Sequence, residues 1–126
     1  MKKNKLVFVA VDTSDINQAK KIINHTQKHK IIPKFGLQFF YSKNGRKFLE
    51  NYKSEFMLDI KASDIPQTIS SALYSIRDLK KIKYLTVMAN VGLQGLKAFK
   101  KEALKINNSV VICGVTILTS LNNKSL

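Results

Sequence analysis

Residues 55–68 read Glu55-Phe56-Met57-Leu58-Asp59-Ile60-Lys61-Ala62-Ser63-Asp64-Ile65-Pro66-Gln67-Thr68. The opening stretch EFMLDIKA (55–62) is short and mostly apolar, the pattern of a buried strand. Pro66 then stands where a fixed φ and a missing N–H suit the first turn of a helix. PQTISSALYSIRDL (66–79) places Ile69, Ala72, Leu73 and Ile76 on one helical stripe. A strand running directly into an amphipathic helix is one βα unit.

The unit recurs outward in both directions. Upstream, LVFVAV (6–11) precedes DINQAKKIINHTQKH (15–29), whose stripe is Ile16, Ala19, Ile22, Ile23 and Thr26, with Ser14 or Asp15 available as its cap. IIPKFG (31–36) is a second strand, followed by a turn at Asn44–Gly45 and a modest helix to Tyr52. Downstream come the strand YLTVMA (84–89), the helix LQGLKAFKKEAL (93–104) and the strand VVICGVTIL (110–118). The strands are near-continuous apolar runs, which predicts a parallel sheet covered by helices. Four βα units and a fifth strand match half of a (β/α)8 barrel, a fold of about 250 residues. An open flavodoxin-like sheet of five strands fits the same count, and the pattern does not separate the two.

The whole chain has 126 residues, 44% of them hydrophobic, enough to bury the core of one domain or of part of one. Lysine and arginine number 22 against 8 acidic residues, a net charge of +14 that favours anionic partners. The lysines are spread over several elements without interleaved aromatics, so nucleic acid is not the expected partner. No apolar run reaches the roughly 18 residues of a membrane span. The basic start, Met1 to Lys5, leads into an apolar stretch that stops at Asp12 without a cleavage site, and the expected location is cytoplasmic. The single cysteine, Cys113, excludes a disulfide framework and reads as inert core within the last strand. His25 and His29 share a helical spacing, yet they stand beside lysines with no third ligand, which fits a solvated face and no metal.

In parallel α/β folds chemistry collects where strands end. Those ends carry Asp12, then Lys34, then Asp59 and Lys61, and finally Thr119 and Ser120, with Asp64 in the loop beyond the third strand. Asp59 and Lys61 are two apart, so both project from one face of a regular strand. Each charge alone reads as an ordinary loop residue. Together they form an alternating Asp and Lys array in which pairing offsets the cost of burial. Such an array holds a lysine proton in a fixed place for transfer.

The stretch Asp59-Ile60-Lys61-Ala62-Ser63-Asp64-Ile65-Pro66-Gln67-Thr68 resembles the D-x-K-x-x-D-I-P-x-T signature of orotidine 5'-phosphate decarboxylase. Val11-Asp12, Lys34-Phe35-Gly36-Leu37 with Phe40-Tyr41-Ser42, and Gly114-Val115-Thr116-Ile117-Leu118-Thr119-Ser120 resemble further segments of that family, in order. D-x-K-x-x-D alone is shared with sugar-phosphate decarboxylases and synthases, and the Ile65-Pro66-Gln67-Thr68 extension favours the narrower assignment.

The resemblance implies a (β/α)8 barrel that makes UMP from orotidine 5'-phosphate without metal or cofactor. It implies that Lys61 protonates C6 of the pyrimidine, that Asp59 lies beside the departing carboxylate, and that Lys34 and Asp12 complete the array, Asp12 near the ribose. It implies that Asp64 reaches into the active site of a second subunit of a homodimer. Ile65, Pro66, Thr68 and Thr119 then fall in the segments that bind the nucleotide.

The chain departs from the family in three places. Ser63 and Met88 stand where the family has histidines, and one glycine after Met88 is absent. Nothing corresponds to the last three strands, whose loops grip the 5'-phosphate. The similarity thus covers the first half of the family's domain, and residues 1–126 are expected to be its catalytic part. An inactive remnant, poorly soluble or oligomeric through its unpaired sheet edges, is the non-enzymatic alternative.

Overall fold

A computed structural model describes residues 5–124 of the chain. Strands β1 (Phe8–Val11), β2 (Ile32–Gly36), β3 (Phe56–Ala62), β4 (Ile82–Met88) and β5 (Val111–Val115) form one sheet. Every neighbouring pair is parallel, and the spatial order follows the chain, β1 to β5. Consecutive order is that of a (β/α) barrel; a doubly wound flavodoxin-like sheet places its second strand outside the first. The open alternative is thereby removed, and the chain forms four βα units and a fifth strand of a barrel.

Helices α1 (Ile16–Thr26), α2 (Leu37–Phe40), α3 (Gly45–Asn51), α4 (Pro66–Ser75) and α5 (Gly92–Ile106) make the connections. Asp15 caps α1, its Oδ1 accepting from the N–H groups of Asn17 at 2.8 Å and Gln18 at 3.2 Å. Pro66 occupies the first turn of α4, as its sequence position predicts. Helix α4 stops short of the expected residue 79, because the chain tightens into i→i+3 bonds, Ile76 to Leu73 and Leu79 to Ile76. Ile76 and Leu79 stay buried through those turns. The regular helix α1 also ends early, at Thr26, and His29 lies in a separate 3₁₀ turn, so the two histidines do not share one helix. Strand β5 ends at Val115, three residues before the expected Leu118, since its ladder partner β4 ends at Met88 opposite Val115.

The two faces of the sheet differ. Val11, Phe35, Phe56, Leu58, Ile82, Leu85 and Val87 are buried on the face beneath the helices, against Ala19, Ile23, Leu49, Ile69, Leu73 and Phe99. Phe35 is the hub of the aromatic part, with ring centroids 4.8 Å from Phe39, 5.5 Å from Phe56, 5.9 Å from Tyr52 and 6.1 Å from Phe48. Burial raises the Tyr52 hydroxyl above its ordinary pKa, opposed by a hydrogen bond with Gln27.

The opposite face follows the register Ala10–Lys34–Met57–Tyr84–Val111. It is only half covered: Phe8, Met57, Tyr84, Met88 and Cys113 are partly exposed and Val111 is 43% exposed. Apolar runs led to an expectation of burial on both faces; the second awaits a cover that these five strands do not supply. Cys113 accordingly lies partly exposed on this open face and not in the core, and its thiol is pushed up by burial first and then by the negative charge of Asp59. Among the described residues no helix is long and apolar enough to cross a membrane.

Candidate active site at the carboxyl ends of the strands

Asp59 is the centre of the charged cluster. It is 7% exposed, on the open face near the end of β3. Its Oδ2 accepts from Lys61 Nζ at 2.8 Å and from Lys34 Nζ at 3.3 Å. Its Oδ1 accepts from the hydroxyl of Thr86 at 2.8 Å. Burial raises the carboxyl pKa, but hydrogen bonds from Lys61, Thr86 and Lys34 and the Lys61 charge outweigh it. The group therefore lies below its ordinary value.

The lysines reach it from two elements. Lys34 stands on β2, two residues before Gly36, which pairs with Asp59. Lys61 reaches it by a less regular route. From Leu58–Leu85 to Ala62–Val87, β3 takes four residue steps where β4 takes two, a bulge around Asp59, Ile60 and Lys61. Lys61 has φ of +45°, the left-handed region that a side chain rarely adopts. Simple alternation predicts the shared face correctly, but the bulge is what aims the ammonium. The Lys61 side chain is 41% exposed, against 28% for Lys34 and 9% for Asp59. The more accessible of the two lysines therefore stands beside a buried carboxylate, an arrangement suited to holding a proton in a fixed place for transfer.

Asp12 follows β1 and is exposed. A Cβ on Gly36 would lie 3.6 Å from Asp12 Oδ1, so the side-chain-free Gly36 separates Asp12 from Asp59. The structure thus gathers Lys34, Asp59 and Lys61 by direct contact, with Asp12 across Gly36.

The remaining expected residues lie elsewhere. Asp64 is exposed in the loop after β3 and accepts from the Ile65 N–H at 2.7 Å. Leu37, Phe40, Tyr41, Lys61, Asp64 and Thr68 line a cleft of about 470 Å³ between α2 and α4. Ile65 and Pro66, between Asp64 and Thr68 in the chain, are exposed, Ile65 by 65%. Thr119 is exposed in a turn beyond β5, and among the described residues no hydrogen bond or ion pair joins it to Asp59. A cavity of about 620 Å³ between α1 and α3 is separate from this cluster. Among the described residues no three His, Cys, Asp or Glu side chains converge to hold a metal ion.

Sequence reasoning missed Thr86. It is 3% exposed and touches Asp59, yet a threonine inside an apolar strand is an ordinary strand residue. The available signals were its strand, next in the chain to the one bearing Asp59 and Lys61, and its place two residues before Met88, where the family has a histidine.

Comparison with known proteins adds the following. Residues 5–126 match the model of the orotidine 5'-phosphate decarboxylase / HUMPS family. The orotidine 5'-phosphate decarboxylase of Carboxydothermus hydrogenoformans is 35% identical over 127 residues, spanning 95% of this chain and 52% of that protein. That of Prochlorococcus marinus subsp. pastoris is 33% identical over 125 residues, spanning 94% and 52%. Among solved structures, orotidine 5'-monophosphate decarboxylase from Methanocaldococcus jannaschii, complexed with inhibitor BMP, gives a TM-score of 0.75 at 25% identity. That match covers 88% of this chain and 51% of the other. An uncharacterized conserved protein from Geobacillus kaustophilus shares the fold, with a TM-score of 0.74 at 20% identity over 94% of this chain and 57% of that one. The chain spans about half the length of the curated relatives it matches.

Proposed function

Since the chain belongs to the orotidine 5'-phosphate decarboxylase / HUMPS family, we propose that it supplies the catalytic half of an enzyme that converts orotidine 5'-phosphate to UMP in pyrimidine biosynthesis. The observation that carries this reading is the Asp59 carboxylate clamped by Lys34 and Lys61 at the strand ends. In the proposed reaction the bond from C6 of the pyrimidine to its carboxylate breaks. Carbon dioxide leaves, the electron pair stays on C6, and the Lys61 ammonium supplies the proton that forms the new C–H bond. Asp59 lies where its fixed negative charge disfavours the substrate carboxylate, and the flanking ammonium groups favour the developing carbanion. Lys34 holds Asp59 in place, and Asp12, across the gap at Gly36, takes the ribose hydroxyls. No metal or cofactor takes part.

The 470 Å³ cleft is read as the side that meets a second copy of the chain. Leu37 and Tyr41 in its lining are 43% and 76% exposed, and Ile65, next in the chain to its Asp64, is 65% exposed, which favours a covered, dimeric surface. Asp64 then reaches into the partner's site, and Ile65, Pro66 and Thr68 contact bound nucleotide. Thr119 contacts nucleotide from the far end of the sheet. The expected setting is the cytoplasm.

The test is release of carbon dioxide from orotidine 5'-phosphate by the purified chain and by its Lys61→Ala variant. The variant is expected to lose roughly a hundredfold to ten-thousandfold, the range of general acid catalysis. Equal activity in the two would overturn the role of Lys61. A second reading, a sugar-phosphate decarboxylase or synthase, follows from the breadth of the family that matches. Turnover of a sugar phosphate, with none of orotidine 5'-phosphate, would favour it.

A further inference from the structure

The bulge that aims Lys61 is held by a single side chain on the next strand. The Lys61 N–H donates to Thr86 Oγ1 at 2.9 Å. The same hydroxyl donates its own proton to Asp59 Oδ1 at 2.8 Å. Thr86 is 3% exposed, its bond to Asp59 is buried, and its bond from the Lys61 N–H is partly so. An alcohol suits this place because one oxygen both accepts and donates. Valine has the same shape and can do neither.

The hydroxyl therefore meets two needs that have different origins. A bulge takes backbone N–H groups out of the regular ladder, and a buried N–H needs a partner. Lys61 is also held at φ +45°, a conformation that persists only where its surroundings enforce it. On its other side, the Asp59 carboxylate has Oδ2 occupied by both lysines and Oδ1 by the Thr86 hydroxyl. The charged and titratable groups facing Asp59 come from four strands or strand ends. They are Lys34 from β2, Lys61 from β3 and Cys113 from β5, with Asp12 across Gly36.

We infer that Thr86 is a positioning residue whose hydroxyl braces the β3 bulge, so that the Lys61 ammonium and the Asp59 carboxylate are presented together at the strand ends. Its catalytic consequence rests on the decarboxylase reading above; the brace itself does not.

Two readouts test the brace without turnover. The first is hydrogen exchange of the Lys61 amide in the unaltered chain by NMR, which is expected to be protected. The second is titration of the Asp59 carboxyl, followed by carbon-13 NMR in the unaltered chain, Thr86→Val and Thr86→Ser. Thr86→Val is expected to move the Asp59 titration up toward the ordinary carboxylate value and to speed exchange at Lys61. Thr86→Ser keeps the hydroxyl and is expected to restore both. A Lys61 amide that exchanges freely in the unaltered chain overturns the inference even if Thr86→Val does not fold. An unchanged Asp59 titration in a folded Thr86→Val overturns it as well.

With orotidine 5'-phosphate, Thr86→Val is expected to lower kcat by about tenfold to a hundredfold, the weight of a hydrogen bond to a charged group, with KM little changed. Absence of turnover in the unaltered chain would sink the assigned reaction, while the two NMR readouts would still judge the brace.

Discussion

A carboxylate that is 7% exposed between two ammonium groups costs desolvation and regains it through pairing. Its lowered pKa fixes the sign of a pH effect. The folded state holds Asp59 ionised to lower pH than the unfolded chain does. The stabilisation is therefore fully present above the unfolded value of about 4 and is lost as pH falls through the lower folded value. Asp78 follows the same direction, chiefly through its hydrogen bond from Arg46, but on the surface. Urea unfolding at pH 6 and pH 3 is expected to show a smaller acid loss in Asp59→Asn than in the unaltered chain; equal losses would refute the pairing. At this scale the sequence was legible where a charge interrupts an apolar run, as at Lys34, Asp59 and Lys61. It was silent at Thr86, whose role depends on a neighbouring strand and on a bulge that no local pattern encodes.

Elements were legible where a residue type has one strong local use. Pro66 opens α4 and Asp15 caps α1 because fixed φ and a short carboxylate suit those places. Helix α2 was not foreseen: Leu37–Phe40 is too short to show a period, and it forms because Phe39 packs on Phe35. The turn at Asn44–Gly45 was read correctly, but the need for glycine proves steric. A Cβ at Gly45 would lie 1.7 Å from the Phe39 carbonyl oxygen, too close to be relieved without moving α2 or α3. Gly45→Ala is therefore expected to cost about 1–3 kcal/mol or more through overpacking, measured as a lower urea midpoint. An unchanged midpoint would mean that α2 and α3 separate at little cost. The end of β5 was misjudged because strand length depends on a partner, and Met88 is the last residue of β4 that pairs with it.

For the whole molecule, regular spacing of βα units predicted the parallel sheet, but its curvature and strand order needed coordinates. Strands β1 and β5 are edges, and the face bearing Phe8, Met57, Tyr84 and Val111 is partly exposed. Such a surface favours association. Sedimentation of the purified chain is expected to show oligomers, and Val111→Lys, at a site already 43% exposed on an edge strand, is expected to reduce them. A monomer at all concentrations would overturn that expectation. The aromatic hub has a different consequence. Phe35 sits between Lys34 and Gly36 in β2, pointing to the helix side while they face the charges. Its ring is wedged among Phe39, Phe48, Tyr52 and Phe56, so the short strand that carries the Lys34 ammonium is bolted to the packed aromatic interior. Heating should therefore leave that ammonium in place until the interior itself gives way, and the loosening of the site and the melting of the fold become one event.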